Sequence, residues 1–360
     1  MESLYRSILK HAWKITKKYK FLWIFGIFAL WLGNGGEIRI FFETLDFIKR
    51  FAADNISGIF VNLFPFISFF EGSDFSSILT GIIFTLIFLI FLLLGLWLVV
   101  VSQTAIIQFT NATSDKKELR FKDVLKSSIP HFLPVLGLNL LSVIFVTVLV
   151  FSLLLPALLI VVSMGGKFAL LLSILIWVIF LPLAAIISFV MKYAINFLLI
   201  KKEKFLDSIS KAWILFKSNW LVSIEMALAI LVINALVGLV IIYLSLAFVG
   251  SYDQIELLVV YALNNQIFDL VLFNILPLVI ISLFLGSLLA VFQTVAWTLL
   301  FKKLISGKRY SKLIRLVTSL SNYMKADNQV TKISDIQSIK PKKIKRRPGR
   351  PKKKGKKVKK

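Results

Sequence analysis

Residues 77–101 read SILTGIIFTLIFLIFLLLGLWLVVV, a run with no charged side chain. Wound as an α-helix at about 1.5 Å per residue, it outreaches the roughly 30 Å hydrocarbon core of a bilayer. Similar apolar stretches lie near 134–162, 168–191, 221–249 and 270–300. A shorter one, Phe21 to Gly33, becomes a span near 19–33 if the preceding helix continues into it. The 360 residues are 58% hydrophobic, with mean hydropathy +0.86. A soluble domain, at about 45–50% apolar, has no interior for so many such runs. The expected fold class is therefore all-α: a polytopic helical membrane protein of about six spans, with interfacial amphipathic helices and a disordered basic C-terminal tail. The expected divisions are an amphipathic cytoplasmic helix at 1–20, a helical membrane domain at 21–324 and the tail at 325–360.

The net charge of +25 is gathered in a few places, at 6–20, 116–126, 201–217 and 302–360. Cytoplasmic loops carry an excess of Lys and Arg. With residues 1–20 inside and six spans, segments 111–133, 201–220 and everything after 301 also fall inside. The outer loops then carry the acids: Asp253, Glu256 and Asp269 in 250–269, with no cation, and Glu37, Glu43, Asp46, Asp54, Glu71 and Asp74 in 34–76. The expectation is a multi-pass protein of the plasma (inner) membrane with both termini cytoplasmic. The first span stays open between 21–33 and the Pro65-interrupted run Ile56 to Phe70. The preferred reading lays 38–52 and 56–70 on the outer face, since Ile38, Phe41, Leu45, Ile48 and Ala52 recur at helical spacing.

Three basic amphipathic segments resemble one another. Ala12-Trp13, Lys17 and Phe21 match Ala212-Trp213, Lys217 and Leu221. Phe121, Asp123, Leu125 and Phe132 match Phe205, Asp207, Ile209 and Phe216. The core reads as three units, each a surface helix leading into a pair of spans. In the segment before the fifth span, Phe205, Ile209, Trp213, Phe216 and Trp220 form one helical face suited to the headgroup region.

The run Ser208-Ile209-Ser210-Lys211-Ala212-Trp213 with Phe216-Lys217-Ser218-Asn219-Trp220 resembles the membrane domain attached to some bacterial glycerophosphoryl diester phosphodiesterases. Lys20-Phe21-Leu22-Trp23-Ile24-Phe25-Gly26 with Asn34-Gly35-Gly36-Glu37 is similar to a related group of uncharacterised bacterial membrane proteins. The likeness covers roughly residues 5–320. It implies a membrane scaffold and carries over no catalytic residue, because no region here could hold the phosphodiesterase barrel.

Few residues offer chemistry. The chain has no cysteine and two histidines, which excludes disulfides, thiolate catalysis and cysteine metal sites. His11 and His131 read as polar residues at an interface. Gly165-Gly166-Lys167 lacks the rest of a phosphate loop, and no hydrolase or metalloprotease signature is present. No cofactor and no enzymatic activity are expected. Ionisable groups within spans are costly and mark function. The candidate intramembrane polar site is thus Lys192, Asn196 and Glu225, near the inner ends of the fourth and fifth spans. Asn139, Asn196, Asn234, Asn274 and Gln293 suit hydrogen bonds between helices. Pro156, Pro182 and Pro277 suit kinks.

The tail is a dense polycation with few hydrophobes, which predicts disorder. Arg346, Arg347, Gly349, Arg350, Pro351, Lys352 and Lys353 form its candidate anionic contact. Gly349-Arg350-Pro351 resembles an AT-hook, a minor-groove motif, with Pro348 in place of the first core Arg. Besides the bilayer itself, anionic lipid headgroups are the first expected partner and nucleic acid the second; no protein partner is legible. The leading functional expectation is a non-enzymatic scaffold or anchor. Its alternatives are a transporter or lipid-handling permease, and a membrane-to-DNA tether. A polar cavity around Lys192, Asn196 and Glu225 favours transport; a closed apolar bundle favours the scaffold.

Overall fold

The computed structural model describes residues 4–32, 75–115, 119–154, 166–250 and 276–307. Every regular element among them is helical. Helix α1 (Leu4–Lys18) turns through Tyr19 into a short α2 (Leu22–Ala29), which tightens into a 3-10 turn, Leu30–Leu32. Next come α3 (Phe75–Ser114), α4 (Phe121–Ser128), a 3-10 turn Ile129–His131, and α5 (Phe132–Leu149), which ends in a π-helical turn, Val150–Leu154. Helices α6 (Gly166–Ile200), α7 (Phe205–Gly250) and α8 (Leu276–Ile305) follow.

Five of these stretches are long and apolar enough to cross a membrane. The chain is a multi-pass α-helical membrane protein. The first expected span is the short one: α2 with its 3-10 turn reaches only about 16 Å. Helices α3 and α6 run well past their expected ends at 101 and 191, because Gln103, Thr104 and Gln108, or Lys192 and Asn196, continue the helix on a polar face that a hydropathy reading discards. Pro182 lies inside α6, whereas Pro277 sits in the first turn of α8, where a missing N–H costs nothing. The surface readings at 38–52 and 56–70, Pro156, Asn274, loop 250–269 and the tail at 325–360 lie outside the described residues.

The helices form a ring in which α3, α6 and α8 also meet at the centre. Helix α2 packs between α3 and α8, α5 between α3 and α6, and α7 between α6 and α8. Each unit is thus an elbow helix, an outer span and an inner span: α1–α2–α3, α4–α5–α6 and α7–α8.

The burial pattern repeats with the units. On the elbows, Ile8, Ala12 and Leu22 are buried, as are Val124, Ser128 and Leu138, and Ser208, Ala212 and Val222. The amphipathic segments therefore bury a stripe of small and aliphatic residues against the bundle. The tryptophans of the aromatic face stay half-exposed, Trp13 at 52% and its counterpart Trp213 at 49%, whereas Phe216 is buried. Small residues admit close helix approach, which matters in a bilayer because lipid tails are as apolar as leucine and burial alone gives no drive.

Helix termini are satisfied locally. The Arg120 N–H donates to Asp123 Oδ2 at 3.2 Å at the start of α4. Lys302, in the last turn of α8, donates to the Asn111 carbonyl and Oδ1 at 3.2 and 2.9 Å and pairs with Asp115 at 2.8 Å. A cation there caps the orphan carbonyls and favours the negative end of the α3 dipole. Where α2 crosses α8, a Cβ added at Gly26 would lie 2.5 Å from the Ser287 carbonyl oxygen, so only glycine permits this approach. The Ser287 hydroxyl donates to the Trp23 carbonyl across the same crossing.

The tightly buried core sits toward the elbow end, through Val100–Phe109, Phe189–Leu199 and Ala290–Leu304. Away from it the spans are apolar and largely exposed on all sides, as at Phe84, Phe91, Leu171 and Tyr243. Such all-round apolar helices suit a lipid surround.

Candidate functional site: a polar centre shared by three helices

The inner spans align through Ala105, Ala194 and Ala296, all buried. In that register Gln103, Lys192 and Thr294 occupy one equivalent position, and Ile107, Asn196 and Thr298 the next turn. These six residues line a single cavity of about 20 Å³ together with Ile195 and Trp297. A space of this size admits about one water molecule. Its walls come from the inner spans of all three units at matching positions.

The centre mixes one cation with neutral polar groups. The Lys192 ammonium stands 5.1 Å from the centroid of the Trp297 ring and 5.8 Å from that of Phe189. Aromatic faces attract a cation, more so where water is excluded. Asn196 is 3% exposed. Its Nδ2 donates to the Lys192 carbonyl at 2.8 Å, while its Oδ1 is buried with no hydrogen-bond partner among the described residues. A buried acceptor left unmet costs about 1–3 kcal/mol, so it favours any donor that enters. Thr294 and Thr298 donate to the Ala290 and Thr294 carbonyls at 2.9 and 2.8 Å, which directs their protons along α8. No carboxylate lines the cavity. The arrangement suits a small polar group that can donate to Asn196 Oδ1.

A ring of interhelical bonds holds the centre. Asn139 on α5 donates to Gln103 Oε1 on α3 at 2.9 Å. Gln293 on α8 donates to Asn234 Oδ1 on α7. The Tyr193 and Ser223 hydroxyls are 2.7 Å apart between α6 and α7. Asn139, Asn234 and Gln293 thus do what their sequence positions predict. His131 meets Gln108 Nε2 at 3.2 Å and the Ser127 carbonyl at 3.1 Å, and His11 is exposed on α1.

Of the three expected intramembrane residues, Lys192 and Asn196 line this cavity. Glu225 is half-buried on α7 and does not line the cavity. Gln103, Thr294 and Thr298 escape a sequence reading, since Gln103 lies beyond the nominal span and threonines in a span are commonplace. Alignment of the three inner spans on their alanines is the signal that finds them. The tail residues Arg346, Arg347, Gly349, Arg350, Pro351, Lys352 and Lys353 lie outside the described residues.

Fold and site together define the class: an integral membrane bundle built from three related units around a buried polar point. No known protein family matches the chain, and no curated protein sequence or solved structure matches it.

Proposed function

We propose that this chain is a non-enzymatic permease of the transporter or lipid-handling type, with the Gln103–Lys192–Asn196–Thr298 centre as the point that its polar cargo passes. The polar cavity carries this reading over the scaffold, because a passive scaffold gains nothing from an unmet acceptor and a lysine among its inner spans. Intramembrane cations facing a bundle interior mark substrate or ion paths, and repeat-built bundles with sites at the repeat interface are common among transporters. The cavity of about 20 Å³ is then the closed form of that path. The excess of lysine at the elbow end supports a reading in which that end faces the cytoplasm across a plasma membrane. The likeness to the phosphodiesterase membrane domain is compatible with a lipid-derived cargo.

The chain contains no cysteine, so single-cysteine variants report without background. Asn196→Cys and Thr298→Cys are expected to react with a charged methanethiosulfonate added to intact membranes. Val232→Cys, on an exposed apolar face of α7, is expected to stay unreactive. If the two cavity variants are as inert as Val232→Cys, the bundle is dry and the scaffold reading takes its place.

A second role rests on the tail. Its run of lysine and arginine from Lys340 onward is suited to anionic headgroups, at about 1 kcal/mol per basic residue near the surface. In this reading residues 325–360 tether the protein to its own membrane surface, ahead of any nucleic acid.

A further inference from the structure

Between α1, α7 and α8 lies a second, larger concavity of about 360 Å³. This is within the range of about 300–1,000 Å³ typical of ligand sites. It is lined by Leu9 and Trp13 of α1, Ile233 and Val237 of α7, and a face of α8 from Leu285 to Phe292, with no polar side chain among them. Trp13 closes one end, its ring 6.2 Å from that of Phe292 in an edge-on contact. From Phe292 to Leu285 the groove follows α8 for about two turns, roughly 10 Å, away from the elbow end. It is a slot running parallel to the spans, roofed by an amphipathic helix.

The roof is charged. Arg6, Lys10, Trp13 and Lys17 recur at steps of four, three and four, so they share one flank of α1 beside the groove, and all are exposed. Lys10 and Lys17 have no carboxylate partner among the described residues. An apolar slot at acyl-chain depth beneath a row of cations matches one kind of molecule. The geometry points to a bound anionic phospholipid, with one acyl chain in the α1–α7–α8 groove and its phosphate on Lys10 and Lys17. A zwitterionic lipid fills the slot equally well and gains little from the lysines. A protein helix is too wide, since its diameter of about 10 Å exceeds a slot of this volume and length.

The repeat supplies an internal control. Trp213 occupies the same position as Trp13 on the elbow of α7, is equally exposed, and does not line this groove. In place of Lys10 that elbow carries Ser210, while Lys217 stands at the position of Lys17, so it keeps one of the two cations. Quenching by lipids brominated on the acyl chain reads the proximity of a chain to a tryptophan. The difference between the full chain and its Trp13→Phe variant isolates Trp13, and Trp213→Phe isolates Trp213. In nanodiscs of mixed phosphatidylglycerol and phosphatidylcholine, brominating one lipid at a time is expected to show phosphatidylglycerol enriched several-fold at Trp13 and not at Trp213. Lys10→Gln with Lys17→Gln is expected to remove that enrichment, about fivefold for each lysine at low salt, and added salt to weaken it in the parent. Ile233→Phe, which narrows the slot, is expected to lower quenching at Trp13 by both lipids. Equal quenching by the two lipids at Trp13, or enrichment that survives loss of both lysines, overturns the site. Because neither lysine lines the central cavity, failure here leaves the permease reading standing, and the reverse holds.

Discussion

At the scale of single residues, size decides as much as hydropathy. Gly26 is the tightest point, and Gly26→Val is expected to cost about 1–3 kcal/mol through forced separation of α2 from α8. The loss is read as a lowered melting temperature in detergent. Gly238→Val on α7 is the control, since a Cβ there meets nothing within 4 Å and stability is expected to hold. Lys192 and Asn196 were legible in the sequence because a charge and an amide stand out in an apolar run. Ala12, Ser128 and Ala212 were not, although they form the packing stripe. Small side chains carry little sequence signal of burial beside the bulkier Trp13, Ile129 and Trp213, which are exposed.

At the scale of elements, the long apolar runs fixed which helices exist and left their joints obscure. The clearest joint is in α7, where the elbow and the outer span merge into one helix interrupted at Asn219, with φ −137° and ψ 27°. Asn219 Nδ2 donates to the Leu215 carbonyl at 3.0 Å, which in a straight helix receives the backbone N–H of residue 219. The side chain thus offers that carbonyl a substitute donor at the kink. The first unit bends at the matching position, Tyr19, where Trp23 Nε1 donates back to the Thr16 carbonyl at 2.9 Å. Asn219→Ala removes the substitute donor, and α7 is expected to straighten. Spin labels on Ile214→Cys and Tyr243→Cys, both exposed, are expected to lie closer than the roughly 43 Å of a straight helix in the parent. They are expected to move apart in the Asn219→Ala background. An unchanged distance assigns the bend to packing on α6 instead.

At the scale of the whole molecule, charge is the informative property. The elbows α1, α4 and the first part of α7 gather lysines at one end of the spans, a clustering visible in the sequence before any helix is placed. The threefold repeat was half-visible. Its elbows share motifs, whereas the inner spans share only the alanine register and a polar position, filled by Gln103, Lys192 and Thr294 in turn. A peptide of residues 325–360 is expected to bind anionic vesicles at physiological salt and to be competed equally by AT-rich and GC-rich duplexes. Selective displacement by AT-rich DNA would instead make the Gly349-Arg350-Pro351 stretch a minor-groove hook and the chain a DNA tether.

The contact of α8 with α1 and α2 also sets a schedule. The partners of the first two helices are the last span to leave the ribosome, about 250 residues later. At synthesis rates of about 5–20 residues per second, that is a wait of roughly 12–50 s. Through that interval Trp23, Gly26 and Leu30 lack the α8 surface that finally meets them, so the nascent chain depends on lipid or an insertion factor to shield its beginning. Ring closure is then the final act of biogenesis, and stalling shortly before α8 emerges leaves a chain that is inserted but unsealed.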